Sequence, residues 1–334
     1  MTLAAPAVLP LADGFGRVAT DLRVSLTDRC SLRCTYCMPV EGLPWLGRDE
    51  LLTDDEVIRL VRLATGRLGV TDVRLTGGEP LLRPRLVELV AAIAPLARLS
   101  LTTNGIGLDR LAAPLAAAGL QRVNVSLDTL RRSTFRQLAH RDRLADTLAG
   151  LAAARDAGLA PVKVNAVLLR GVNDDEAADL LAYCRDNGFS LRFVEQMPLD
   201  PMRHFDRASL VTAAEILERL AERYVLSPDP AERGGAPAER WVVDGGPTVV
   251  GIVGSVTRPF CAACDRTRLT ADGQVRSCLF AREETDLRTA MRAGATDDAL
   301  AELWGSAMAG KRPGHGIGEP GFVQPQRPMS AIGG

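Results

Sequence analysis

The sequence predicts an α/β fold: a partial, open (β/α)6 TIM-like barrel of parallel strands with helices outside, plus a C-terminal extension carrying a second cluster of cysteines. Three observations predict it. From Leu22 to Met197 strand-like and helix-like segments alternate, and six strand–helix units in a row call for a parallel sheet with right-handed crossovers. The strands carry polar residues at every second position: Arg23/Ser25/Thr27, Arg74/Thr76, Ser100/Thr102/Asn104, Asn124/Ser126/Asp128, Lys163/Asn165, Arg192 and Gln196. Their apolar neighbours are Val24, Leu75, Leu101, Val123, Val125, Val162, Val164 and Val194. A parallel sheet between two helix layers is apolar on both faces, and a complete barrel packs its interior with aliphatic layers. A curved sheet with helices on one side and a ligand-lined interior satisfies both constraints. Finally, the alternation stops after Met197, which marks a second unit.

The elements follow in order. Residues 1–20 form an N-terminal arm. The strands are 22–27, 73–77, 98–103, 122–127, 161–169 and 191–196, with helices over Asp54–Arg67, Pro84–Ala97, Leu108–Ala118, Asp142–Ala157 and Asp174–Asn187. Several of these helices begin at Thr, Asp or Pro and end near Gly, as capping requires. Together they make a barrel unit over 21–200. The rest, 201–334, opens with a helix at Thr212–Arg223 and a Pro/Gly-rich surface loop at Ser227–Ala238. A hairpin of Trp241–Val243 and Thr248–Val253 follows, then helices near Leu287–Ala293 and Asp297–Ala309. The tail from Lys311 is too rich in Gly and Pro for a helix, yet it keeps apolar anchors at Ile317, Phe322, Val323, Met329 and Ile332.

Composition excludes several classes. A formal net charge of −1 gives no basic field, so a nucleic-acid partner is not expected, and any bound anion must be met by a few placed Arg and Lys residues. The N-terminus has no basic start and is interrupted by Pro6 and Pro10, unlike a signal peptide. No stretch approaches a membrane span. Seven cysteines without an export signal point to the reducing cytoplasm, where they serve as ligands or free thiols. Six fall into two triads; Cys184, in a helical pattern, reads as a buried inert thiol.

The first triad, in TDRCSLRCTYCMP, places Cys30, Cys34 and Cys37 directly after the first strand. Three soft thiolates on one loop suit an iron–sulfur cluster with one open metal position, whereas a closed zinc site takes four protein ligands. A zinc knuckle with a distant fourth ligand is the alternative. After the second strand comes Thr76-Gly77-Gly78-Glu79-Pro80, at the carboxyl end where parallel sheets bind ligands. Its glycines allow close backbone approach, and its carboxylate can take an amino group. The second triad is Cys261, Cys264 and Cys278, with no His nearby to complete a zinc tetrahedron, although zinc with a remote ligand stays open. Arg266 and Arg268 follow at alternate positions and can grip one polyanion together.

The segments TDRCSLRCTYCMP, VRLTGGEPLLR, LTTNG, NVSLD, KVN and FCAACDRTRLTADG closely resemble the GTP 3′,8-cyclase family of radical S-adenosylmethionine (SAM) enzymes, which begins molybdenum cofactor biosynthesis. The resemblance covers about Asp21 to Gly334. It implies two 4Fe-4S clusters, one ligated by Cys30, Cys34 and Cys37 and carrying SAM, the other ligated by Cys261, Cys264 and Cys278 and holding the GTP base. It implies SAM contacts from Tyr36, Gly77, Gly78, Glu79, Ser126 and Met197. Arg23, Arg74, Thr102, Lys163, Arg192, Arg266, Thr267 and Arg268 match GTP contacts. The family ends in Gly-Gly reaching the active site, which makes Gly333 and Gly334 the catalytic candidates of the tail. Asp72 stands two residues before Arg74, where relatives often carry a basic residue, a departure from the family pattern that leaves a phosphate contact at that point open. Implied partners are GTP, a reducing electron-donor protein, the downstream cyclic pyranopterin monophosphate synthase and a second copy in a homodimer. The rival readings are a radical SAM enzyme acting on a peptide or carbohydrate, an electron carrier, and a zinc-stapled binding protein. The inward Arg/Lys set has little use in the first, and each triad is one ligand short for the second. The third would be colourless where cluster protein is brown.

Overall fold

In the computed structural model, which describes residues 8–333, one twelve-stranded sheet runs through the molecule. Its middle consists of β1 (Asp21–Ser25), β2 (Asp72–Thr76), β3 (Arg98–Thr103), β4 (Arg122–Ser126), β5 (Val162–Val167) and β6 (Ser190–Val194), paired parallel in chain order. The crossovers carry α1 (Asp54–Arg67), α2 (Leu86–Ile93), α3 (Leu108–Ala117), α4 (Arg132–Ala139), α5 (Leu144–Asp156) and α6 (Ala177–Asp186). The fold is therefore the expected open, partial barrel.

Local chemistry explains most boundaries. Thr53 and Glu56 form a reciprocal capping box that starts α1. The sequence reading missed α4 because its first residue is preceded by Arg131, which makes no side-chain cap bond. That helix is held instead by burying Phe135, Leu138 and Ala139. The apolar strand residues Val24, Leu75, Leu101, Val123, Val125, Val162 and Val164 join Val57, Leu60, Leu108, Leu115 and Leu151 of the helices in one core. Val194 corrects the expected alternation. It shares a face with Arg192, two residues away, and it is Leu191 and Phe193 that enter the core.

Beyond residue 200 the chain forms α7 (Ala213–Ala221), β7 (Leu226–Pro228), β8 (Glu239–Val243) and β9 (Val249–Val253). The expected hairpin is β8–β9, and β9 extends the sheet parallel to β6. β7 lies partly within the stretch expected to be loop; it adds an antiparallel edge of three residues. Then β10 (Arg266–Leu269) pairs parallel with β1 at the opposite edge, followed outward by β11 (Gln274–Arg276) and β12 (Thr285–Asp286). The extension thus flanks the six central strands on both sides and brings its cysteines beside the first triad's strand. α8 (Leu287–Arg292) and α9 (Asp297–Ala309) cover this edge, with Trp304 fully buried.

The tail also differs from expectation, because α10 (Met329–Ile332) adds one helical turn. Those four residues include neither Gly nor Pro, Pro328 precedes them in extended conformation, and Gly333 at φ 85° ends the turn. Among the described residues no helix is long and apolar enough to cross a membrane.

Candidate active site

The first triad's loop is fixed from two sides. Cys34 O accepts from Cys37 N at 2.8 Å and Met38 N at 3.0 Å, which curls the loop so that the triad faces one cavity. Arg33 N and Thr35 N donate to the carbonyls of Ala139 and Leu138, the end of α4. Those carbonyls lack helical partners, so α4 and the loop satisfy one another. The cavity is lined by Cys30, Cys34, Tyr36, Cys37, Gly77, Gly78, Glu79, Thr102, Asn104, Ser126, Asp128, Met329 and Ser330 among others. Six separate elements of the chain meet there. Met197 is not among the lining residues; Met329, whose N–H donates to Leu199 O, takes a place in that wall.

Gly77 and Gly78 are required by space. A Cβ on Gly78 would run into the carbonyls of Arg29 and Asp28, and Gly77, at φ 137°, has Thr27 backbone equally close. Glu79 is buried and accepts from Thr103 Oγ1 at 2.6 Å, Asn104 N at 2.7 Å and Leu81 N at 3.0 Å. Burial pushes its carboxyl up to about 7 despite these donors. Tyr36 OH donates to Asp128 at 2.6 Å, and burial raises Asp128 to about 6.

The thiols fit a cluster. Burial raises Cys30, and it pushes Cys37 up to about 12, so each needs a metal's charge to lose its proton. Donors already point at the sulfurs: Asn104 Nδ2 at Cys30, 3.8 Å away, with the backbone of Leu32, and the backbone of Ser330 at Cys37. Such donors tune thiolate-held clusters.

The second triad sits beyond β10 and β11. Cys264 N donates to Cys261 O in a tight turn, and Phe280 N reaches Cys278 Sγ at 3.4 Å. Lys311, buried, donates to Cys264 Sγ at 3.3 Å, Cys264 O at 3.2 Å and Arg266 O at 2.9 Å. Burial alone would raise Cys264, but Arg266 and Lys311 outweigh it and hold the thiol below its usual value. Arg17 ties the arm to this loop, donating to Cys261 O at 2.7 Å, Pro313 O at 2.9 Å and Arg312 O at 2.7 Å. Lys311 and Arg17 escaped sequence reasoning. Neither lies in a motif, and each stands far along the chain from the triad it serves.

Between the triads runs a row of arginines. Strand register sets Arg268 beside Arg23 and Arg23 beside Arg74, so all three share the inner face. Arg266 lies two residues from Arg268 on the same face, 4.6 Å above the Phe260 ring. Arg23 Nε, Arg266 Nε and Arg268 Nε are buried without a hydrogen-bond partner. Burial and mutual repulsion lower the proton affinity of Arg23 and Arg268. A guanidinium does not give up its proton in proteins, so a bound anion is what relieves this strain. Asp72 does not compete, because it is held by Arg98 and Arg122. Thr102, Asn124 and Lys163 form the next row, and Asn165 and Arg192 another. Burial and the nearby charge of Arg192 bring Lys163 down to about 7. Thr267 is corrected: it points to the opposite face, where its hydroxyl accepts from Trp304 Nε1 at 3.0 Å, so its side chain cannot meet a ligand inside.

The tail ends in this space. Ser25 Oγ donates to Ile332 O at 2.9 Å, and Arg268 Nη1 to Gly333 O at 3.0 Å. Gly334 lies outside the described residues.

Comparison with known proteins gives a consistent picture. Residues 24–184 match the model of the Radical SAM superfamily, and 189–317 that of Molybdenum Cofactor Synthesis C. The chain is 63% identical to a protein from Streptomyces coelicolor named GTP 3′,8-cyclase, over 97% of this chain and 96% of that one. It is 59% identical to a Mycobacterium sp. protein of the same name, over 98% and 95%. Among solved structures, Streptococcus suis SuiB bound to S-adenosylmethionine superposes with a TM-score of 0.54 at 13% identity, over 86% of this chain and 68% of that one. That likeness concerns the fold.

Proposed function

The chain belongs to the GTP 3′,8-cyclase family of radical SAM enzymes, and on that premise we propose how its own residues serve the reaction. The enzyme, a lyase, converts GTP to (8S)-3′,8-cyclo-7,8-dihydroguanosine 5′-triphosphate, the first step of molybdenum cofactor biosynthesis, using SAM and two 4Fe-4S clusters. When bound, the first cluster with SAM would supply the radical chemistry at the GTP ribose, and the second cluster would help hold the guanine.

Cys30, Cys34 and Cys37 hold the first cluster; Cys261, Cys264 and Cys278 hold the second. The backbone of Gly77 and Gly78 lies against SAM, Glu79 fixes that loop and faces the methionyl amino group, and Tyr36 and Ser126 complete the pocket. Met329 takes the place in the wall that Met197, outside the lining, does not fill. Arg23, Arg74, Lys163, Arg266 and Arg268 take the triphosphate, while Thr102 and Arg192 orient the rest of the nucleotide. Gly333 closes the cavity, with Gly334 following. Residues 21–200 thereby handle SAM, and 201–334 bring the second cluster and the tail. The same reading includes a reducing electron-donor protein, delivery to cyclic pyranopterin monophosphate synthase, a homodimer and a cytoplasmic location.

The observation that carries this reading is the arginine row with its three orphaned Nε atoms. A near-neutral chain has gathered four buried or half-buried arginines here against two neighbouring carboxylates, Asp21 and Asp265, and a polyanion makes that surplus favourable. Each charge-assisted contact contributes about 1.5–3 kcal/mol. The Arg266→Ala/Arg268→Ala double variant is therefore expected to bind GTP roughly 100-fold more weakly or worse, by equilibrium dialysis, with both clusters retained. Unchanged affinity in a fully loaded variant would sink the assignment.

Lys163 adds a pH signature. Its free-enzyme value of about 7 must rise when a phosphate or other anionic group binds beside it, so GTP binding takes up a proton. Affinity is then highest below about 7 and falls as pH rises through the value of the complex. Calorimetry in buffers of different ionisation enthalpy should detect this uptake near pH 8, and Lys163→Met should abolish it. A wild-type heat independent of buffer contradicts the role.

A further inference from the structure

A second, larger cavity, about 650 Å³, lies on the outer side of the first cysteine loop. We propose that it is the docking surface for a small acidic one-electron carrier protein that reduces the centre held by Cys30, Cys34 and Cys37. The inference rests on the function proposed above.

Charge is the first observation. Arg29, Arg48 and Arg85 line this cavity and are exposed. Among the described residues Arg29 and Arg48 form no ion pair, and Arg85 has only a 3.8 Å contact to Glu88. Arg83 is consumed in the floor, where it donates to Leu26 O, Leu52 O and Asp54. Arg83 and Asp54 neutralise one another and Glu88 stands 3.8 Å from Arg85, so Arg29 and Arg48 are left unpaired among the described residues against one lining carboxylate, Asp55. That is a local positive surplus on a chain of net charge −1, and it matches an acidic partner.

Shape and position are the second and third. Leu82, 48% exposed, adds apolar surface among these charged residues, a mixture that protein interfaces use. No side chain lining the cavity has a buried polar atom left without a partner, so nothing there is aimed at a small enclosed ligand. The wall of the groove is also the wall of the site. Arg29 precedes Cys30 directly, its carbonyl accepts from Glu79 N at 2.7 Å, and Gly78 packs against that same carbonyl. A carrier seated here is separated from the first thiolate's loop by one thickness of backbone. In the transfer the carrier is oxidised by one electron and the centre gains it; no bond or proton changes place between the proteins.

The test compares two reductants on the cluster-loaded enzyme and its Arg48→Glu/Arg85→Glu variant, neither residue belonging to the active site. Reduced flavodoxin and reduced ferredoxin are the protein probes; dithionite is the small one. Expected for wild type is carrier binding and cluster bleaching in stopped flow that weaken as salt rises. In the variant both should fall about tenfold or more, with partial recovery in Arg48→Lys/Arg85→Lys, while dithionite bleaching and dithionite-driven 5′-deoxyadenosine formation stay unchanged. Equal carrier binding and bleaching in variant and wild type overturns the docking surface, as does an equal loss with dithionite. Binding of GTP in the groove in place of either carrier also overturns it. Failure of the underlying function is distinguishable: wild type would then bind carrier and bleach yet form no 5′-deoxyadenosine with any reductant.

Discussion

Replacing Cys30, Cys34 and Cys37 with alanine is expected to remove SAM cleavage completely while roughly half of the iron remains, bound at the second triad. The converse variant at Cys261, Cys264 and Cys278 should keep SAM cleavage and lose GTP conversion. This separation follows from the structure, because each triad has its own sulfur donors and its own anchor. The end of α4 holds the first, and Arg17 with Lys311 holds the second. Iron analysis with electron paramagnetic resonance of each variant is the measurement. Loss of all iron on removing either triad would mean one centre shared between them, and the assignment of two would fail.

The second large effect concerns Gly333. Its φ of 85° is strained for any residue with a Cβ, and a Cβ there would meet Ser25 Oγ and come within 2.7 Å of Thr76 Cγ2. Strain of about 1–2 kcal/mol for the backbone and overpacking of about 1–3 kcal/mol together oppose the two buried bonds, to Ile332 O and Gly333 O, that hold the end of the tail. Gly333→Ala should therefore expel the end of the tail and release Arg268 from its carbonyl. Cyclisation is expected to drop about 100-fold or more, if both terms are felt in full, with cluster content unchanged and 5′-deoxyadenosine formation continuing without product. Deleting Gly333 and Gly334 should give the same split. Full turnover by either variant would return the tail to a dispensable terminus.

By itself, the sequence determined what local chemistry controls. Alternation of period two and helix caps placed β1 to β6 and α1 within a residue or two, and cysteine spacing picked out both triads. The same alternation put Arg23, Arg74, Thr102, Ser126 and Lys163 on one face, as the strand register has them. Where a local signal was weak, the reading faltered. α4 lacks a cap, Val194 breaks the polar pattern of its own face, and α10 is a single turn inside a Gly/Pro-rich tail. Tertiary structure decided the rest. No periodicity announces that β10 lies beside β1 across some 240 residues of chain, yet that pairing brings Arg268 next to Arg23 and turns Thr267 toward Trp304. Nor does Lys311 or Arg17 carry a mark of the thiolate loop it serves. Such contacts form because parallel strand pairing and close packing bring together residues distant in the chain, and the free energy of those contacts depends on the whole fold and not on any window of sequence.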